Sequence, residues 1–388
     1  YGTPKGAIKI DDILCLTIDE SRRSLVTNNH TSTHLCNYAL RNALGDHVDQ
    51  QGSLVLENRL RFDFSHGKPI TGEELEKVDS CVKTIIQQNL GVFDKEVPLA
   101  QAKSINGVRQ MFGETYPDPV RVVSVGVSVD DLLANPENEE WSKYAIEFCG
   151  GTHVKSSSSI GCFTTISEEG ISKGVRRIVC LTGSEAQNAL KIGEEFEERL
   201  NSELEGKEAS ELSDCVATLL KDLDSEKLFP YCEKLRLRKV LSDAKKRATT
   251  QLKELEKAIK AKATSFSKEV CKQLSDNSQT FFVSKVEFGN NCGLLKTTIK
   301  NIQKTHSIPI ILISTGAGDK VAVVATSPKD KQQQLPANKW VSNTVSVVNG
   351  KGGGKPDGAQ GVCNNVSEEQ VQSLLNAANE FASSSLNA

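Results

Sequence analysis

Residues 120–129 read VRVVSVGVSV. Valines at 123, 125, 127 and 129 repeat with a period of two, which predicts a strand with one buried face. Downstream, AIEFC (145–149) predicts another strand, running into a turn at Gly150–Gly151 where glycine lets the backbone fold tightly. Upstream, GEELEKVDSCVKTIIQQNL (72–90) has helical spacing at Leu75, Val78, Val82, Ile85 and Ile86. Before it, QQGSLVLENRLRFDFSH (50–66) is strand-like on both sides of a turn near Glu57 and Asn58. A helix from near Asn29 to Leu44 would bury Leu35, Cys36, Ala39, Leu40 and Ala43, and DDILCLT (11–17) predicts a first short strand. Strands and helices mixed in this order imply an α+β domain over residues 1–185, ending near LTG at 181–183.

The character then changes. Residues 186–273 are rich in Glu, Lys, Leu and Ala, with Pro230 as the main breaker. Leu237, Leu241, Ala244, Ala248, Leu252, Leu255 and Ile259 form an apolar stripe at helical spacing. Tyr231 to Ala263 carries eleven Lys or Arg against four acids. The expectation is a helical arm, single or coiled-coil, with a basic outer face that is either a solvated surface or a contact surface. From 274 to 388 strand signals return in FFVSKVEF, IPIILIS (308–314) and KVAVVAT (320–326). A glycine-rich loop, NGKGGGKPDGAQG (349–361), and a closing helix from Ser367 to about Ser383 complete a small α/β domain.

With 388 residues the chain can bury two or three cores. A net charge of −3 excludes a uniformly basic nucleic-acid binder, so any RNA contact must be a local patch. No apolar run approaches the twenty or so residues of a membrane span. The eleven cysteines are scattered, odd in number and lack a CxxC pair, which predicts reduced cytoplasmic thiols and argues against zinc ribbons. The first residue is Tyr1, from which a piece of a longer protein is expected.

Two spacings carry chemistry. NNHTSTHL (28–35) sets His30 and His34 four apart on one helix face, and CGGTHV (149–154) sets Cys149 and His153 four apart across the turn. Two ligands from a helix and two from a strand-turn would make a tetrahedral His3Cys zinc site; the alternative is a buried cysteine beside unrelated histidines. A metallopeptidase would need glutamate directly after the first histidine, and Thr31 stands there.

NHTSTHL, QQGSLVLENRLRFDFSH, FGETYPDPVRVVSVG, CGGTHV and KGVRRIVCLTG follow one another in the order of the editing domain of the alanyl-tRNA synthetases, and residues 20 to 185 closely resemble it. The arm and the last domain resemble the C-terminal region of that family more loosely. GGGKPDGAQG is similar to the glycine-rich signature shared with DHH-type phosphoesterases. The resemblance places the family's HxxxH on His30 and His34 and its CxxxH on Cys149 and His153, all four as ligands of one Zn2+ ion. It puts Gln50 near the amino-acid pocket. Two departures are DDLLANPENEEWSKYAIE (130–147), a longer eukaryote-type loop, and SSSSIGCF (156–163), where the family often has a TGDIG-like run.

The implied activity is zinc-dependent hydrolysis of Ser-tRNA(Ala) and Gly-tRNA(Ala) by a cytoplasmic aminoacyl-tRNA deacylase. One missing methyl distinguishes glycine from alanine by only about 1–3 kcal/mol, so a second, hydrolytic site repairs the error. An aminoacyl ester is already activated, which leaves less need for a strong base and suits Thr31. Four protein ligands formally close the zinc, so either one gives way or the ion chiefly orders the pocket. Gln50 would bond substrate or hold the QQGS turn; Thr31 and Thr33 would read a serine hydroxyl or bond back to the helix. Arg59, Arg61 and Asp63 read as a structural ion pair, with a grip on the tRNA end as the alternative. Arg176 and Arg177 are candidates for phosphate. Gly350 to Gly354, including Gly352 and Gly353, would cradle an anion with Lys351 and Lys355 adding charge. The resemblance implies tRNA contact or a homodimer through the arm and last domain, and no DNA or membrane partner. The ATP-binding motifs of aminoacylation are not found, so charging of tRNA, and ATP with it, is expected to belong to residues before Tyr1. The competing reading is a non-catalytic tRNA-binding or dimerisation module with a structural zinc.

Overall fold

The computed structural model describes residues 6–111, 113–277, 279–316 and 320–387. Its residues divide into two compact units, Tyr1–Ala248 and Thr249–Ala388, and the division falls inside one long helix.

The first unit begins with α1 (Glu20–Leu44), nine residues earlier than its apolar face predicts. Asp19 caps it by accepting from the amide of Arg22, and the added turns are exposed, so they leave no apolar period to read. A hairpin follows, β1 (Gln50–Val55) and β2 (Leu60–Ser65), turning at the expected Glu57–Asn58. Then come α2 (Gly72–Gln87), β3 (Val92–Val97), α3 (Leu99–Ser104), β4 (Val120–Val125), α4 (Val129–Ala134) and β5 (Ala145–Phe148). A second hairpin, β6 (Phe163–Ser172) and β7 (Val175–Thr182), closes the α+β part. The strand read from VRVVSVGVSV stops at Val125: Gly126 turns the chain at φ +98°, and Ser128 caps α4. Residues 11–17 form no strand. Ile13 and Leu16 are fully or nearly fully exposed, because an isolated extended segment has no neighbour to take its backbone hydrogen bonds.

Two antiparallel sheets result, ordered β1-β2-β7-β6 and β3-β4-β5. Leu35, Cys36, Ala39 and Leu40 of α1 pack with Phe62 and Phe64 of β2 and Val78 and Val82 of α2. α1 is thereby fixed with its buried face turned inward and His30 and His34 held beside β5. The helices α5 (Gly183–Leu204), α6 (Ala209–Ser225) and the start of α7 (Tyr231–Asp276) form a layer of their own. Here Leu237, Leu241 and Ala244 pack against Leu200, Val216, Leu219 and Leu223, so the first half of the predicted stripe is satisfied within the chain. Its later member Leu255 is 58% exposed. The expected helical arm consists of three packed helices and an exposed mid-section of α7.

The second unit contains the end of α7, then β8 (Phe282–Val286), α8 (Cys292–Gln303), β9 (Ile310–Thr315), β10 (Val321–Thr326), α9 (Ala337–Ser346), β11 (Lys351–Lys355), β12 (Gly358–Cys363) and α10 (Glu368–Asn387). The sheet order is β11-β12-β10-β9-β8, with β8 and β9 parallel. Period-two alternation splits β9 between two cores: Ile311 and Ile313 face α9 and α10, while Ile310 and Leu312 face α7 and α8.

The glycine-rich stretch is a β-hairpin, not a loop. A Cβ at Gly352 would stand 2.7 Å from Val341 Cγ1 and one at Gly361 2.9 Å from Val345 Cγ1. Glycine is required there because α9 lies directly on the hairpin. A run of glycines followed by Pro356 and Asp357 has the composition of a turn, which is why composition misreads it.

Candidate metal centre

The four predicted ligands meet. His30 and His34 come from α1, Cys149 and His153 from the turn after β5, and one ligand atom from each lies within 4.8 Å of the others. Cys149 Sγ is 3.4 Å from His30 Nε2 and 3.4 Å from His153 Nε2.

Each imidazole is tied through its other nitrogen. His30 Nδ1 donates to the Thr152 carbonyl at 3.1 Å. His153 Nδ1 donates to Thr31 Oγ1 at 3.2 Å. His34 Nδ1 is bound by Glu147 Oε2, and Glu147 Oε1 accepts from Asn37 Nδ2 at 2.7 Å. All three rings therefore present Nε2 inward, the arrangement that outer-sphere partners impose on metal-binding histidines. Gly151 permits the convergence, since a Cβ there would overlap the His30 ring. Arg121 anchors the turn from behind, donating to the Cys149 carbonyl at 3.4 Å and to the Gly151 carbonyl.

The electrostatics favour a cation. Burial pushes the Cys149 thiol up, but the surrounding imidazoles of His153, His30 and His34 outweigh it and bring its pKa down to about 3. Burial opposes charge on His34, yet Glu147 and Cys149 raise it to about 10. Burial lowers His153. The donor set thus combines a thiolate with imidazole nitrogens, which suits zinc. His34 Nε2 is buried and has no hydrogen-bond partner, the single orphan that a metal in this position would satisfy.

Residues 120–179 match the family described as "Threonyl and Alanyl tRNA synthetase second additional domain", and residues 278–384 match the "DHHA1 domain". The chain is 43% identical over 380 residues to "Alanine--tRNA ligase, cytoplasmic" of Dictyostelium discoideum, covering 97% of this chain and 40% of that one. This chain belongs to the alanyl-tRNA synthetase family. It is also 55% identical over 192 residues to the mitochondrial alanine--tRNA ligase of Saccharomyces cerevisiae, covering 50% of this chain and 20% of that one. The crystal structure of the C-Ala domain from Aquifex aeolicus alanyl-tRNA synthetase overlaps 26% of this chain and 90% of that one, at 17% identity and a TM-score of 0.23.

Within this alanyl-tRNA synthetase region the cluster opens into a cleft of about 550 Å3, lined among others by Thr33, Gln50, Arg109 and Tyr116. Gln50 begins β1 beside a bulge and reaches that cleft. Thr31 is fully buried: its hydroxyl donates to the Thr27 carbonyl at 3.1 Å and accepts from His153 and from the Val154 amide. Thr33 lines the cleft but donates to the His30 carbonyl at 2.7 Å.

Other candidates lie away from the cleft. Arg177 forms a two-pronged pair with Asp63 at 2.7 and 2.9 Å, and Arg176 pairs with Glu168. Arg61 reaches Asp63 at 3.5 Å. Lys351 to Lys355 form the exposed edge strand of the second unit. His47 and His66 pair with each other at 2.9 Å.

Glu147, Asn37 and Arg121 escaped sequence reasoning. Asn37 follows His34 by three residues on the same helix face, and Glu147 is an acid inside the otherwise apolar AIEF strand. Both were available signals. All eleven cysteines are free, and among the described residues no helix is long and apolar enough to cross a membrane.

Proposed function

We propose that this chain is an editing hydrolase, removing serine or glycine wrongly esterified to tRNA(Ala) in the cytoplasm. The observation that carries the reading is the convergence of three imidazole Nε2 atoms and the Cys149 sulfur on the wall of an open cleft. His30, His34, Cys149 and His153 would hold Zn2+. When bound, that ion supplies Lewis acidity toward the ester carbonyl.

The chain's own residues do the rest. Glu147 and Thr31 fix the His34 and His153 rings through Nδ1, so the ligand nitrogens are set before substrate arrives. Gln50 and Thr33, on the cleft wall, would orient the aminoacyl group. No carboxylate follows His30, in keeping with an ester that needs little help to break. Lys351, Gly352, Gly353, Gly354 and Lys355 offer tRNA phosphates an exposed basic strand edge, and the same unit with α7 is the surface for a homodimer. Arg176 and Arg177 are engaged by Glu168 and Asp63, so their role in this reading is to brace the sheet beneath the site.

One observation favours a second reading: four protein side chains would by themselves fill the shell of a zinc ion, as in structural sites. Release of serine from Ser-tRNA(Ala) by the full chain separates the two. Release that is lost in Cys149→Ala and His153→Ala supports editing. A wild-type chain that holds one zinc, binds tRNA and releases no serine would establish a structural zinc in a tRNA-binding module.

A further inference from the structure

Three arginines line the cleft beside the ligand cluster: Arg41, Arg109 and Arg121. Two are neutralised. Arg41 pairs with Asp46 at 3.0 Å and Asp49 at 3.1 Å, and Arg121 with Asp94 at 2.9 Å. Arg109 is half-buried, and among the described residues its guanidinium forms no ion pair or side-chain hydrogen bond. The acids whose fields reach it are Asp46, Asp49 and Glu147. The first two hydrogen-bond Arg41, and Glu147 hydrogen-bonds His34 and Asn37, so none of the three is in contact with the Arg109 guanidinium. Burial and the neighbouring charge of Arg41 both act against the Arg109 cation. A half-buried guanidinium whose N–H donors have no acceptor in contact is a poor way to fill a cleft wall unless an anion comes to it.

The position is held by the backbone. The Arg109 amide donates to the Ile146 carbonyl at 2.8 Å, and its carbonyl accepts from the Phe148 amide at 3.0 Å. Arg109 therefore stands opposite Glu147 in an isolated parallel bridge, two residues before the ligand Cys149.

We propose that Arg109 binds a phosphate of the nucleotide bearing the aminoacyl ester, seating the acceptor end over the Cys149 cluster; this rests on the editing reading above. An aminoacyl ester has lost its carboxylate and carries a cationic amino group. The only anion near the bond to be broken is the phosphodiester of the same nucleotide, and a forked guanidinium matches it.

The test uses the full zinc-loaded chain and seryl-adenosine with a stable 3′-amide in place of the ester, prepared with and without a 5′-methylphosphate. Wild type binds the phosphate-bearing probe about tenfold tighter or better, the scale of one charged hydrogen-bonding contact. Arg109→Ala abolishes that advantage and leaves affinity for the phosphate-free probe unchanged, whereas Arg109→Lys keeps part of it. Zinc content and far-ultraviolet circular dichroism of both variants match wild type, because backbone bonds hold the segment. If Arg109→Ala misfolds, Arg109→Gln against Arg109→Lys carries the comparison. An equal phosphate advantage in wild type and the neutral variant overturns the proposal, as does phosphate-free binding to which phosphate adds nothing. Free serine displacing the phosphate-free probe from wild type and not from the neutral variant would assign Arg109 to a carboxylate instead. If neither probe binds wild type, the editing reading itself fails and the role of Arg109 falls with it.

Discussion

Glu147 holds the Nδ1 of His34, a residue 113 positions earlier in the chain, while its second oxygen is held by Asn37. The buried carboxylate thus sets which nitrogen of His34 faces Cys149, and makes that nitrogen more basic. Glu147→Gln keeps an acceptor in place and removes the charge. Zinc affinity is expected to fall roughly 10–100-fold, the usual effect of losing such a partner. Competition with a chromophoric chelator measures it, and an unchanged affinity would refute the link.

Thr31 serves three groups at once, the Thr27 carbonyl, the His153 ring and the Val154 amide. Thr31→Val preserves shape but leaves the buried Val154 N–H unpaired, a loss of about 1–3 kcal/mol. Thr33→Val should cost much less, since its partner carbonyl lies within α1. Urea unfolding of the two variants at saturating zinc reads the difference.

Thr71 and Glu74 form a capping box at the start of α2, with Glu74 N donating to Thr71 Oγ1 at 3.1 Å and Thr71 N to Glu74 Oε2 at 2.8 Å. The Thr71 backbone bond, then its hydroxyl, holds the Glu74 carboxyl at about 2, below the ordinary 4.5. A depressed carboxyl stabilises fully above its unfolded value and loses that contribution as pH falls toward the folded one. Glu74→Gln should cost about 1 kcal/mol at neutral pH. The gap from wild type should narrow as pH drops from about 5 toward 2. Denaturation at several pH values checks the slope; a gap that widens on acidification would contradict it.

Gly352 lies under Val341, and Gly353 has nothing within 4 Å of its would-be Cβ. Gly352→Ala should destabilise the second unit by about 1–3 kcal/mol through overpacking. Gly353→Ala should be close to neutral, and Val341→Ala should recover part of the Gly352→Ala loss. The buried Trp340 next to Val341 reports unfolding of this unit by fluorescence in a Trp141→Phe background.

Helix periodicity located α2 and the buried face of α1, alternation located β4, and apolar runs located β9 and β10, which are buried on both faces. Where burial is absent the pattern fails: the exposed first turns of α1 and the unpaired run at 11–17 show opposite errors from the same cause. The glycine hairpin shows a third kind, in which composition suggests a turn while contact with α9 demands residues without Cβ.

The ligand types and their four-residue spacings were set by the sequence alone, since a helix turn and a tight glycine turn are local objects. What only the tertiary structure decided is which nitrogen each histidine presents, and which arginine in the cleft is left without an acid in contact. Those depend on Glu147, Thr152, Asn37 and Asp46 meeting partners across the fold, and hydrogen bonds over such separations leave no period to read.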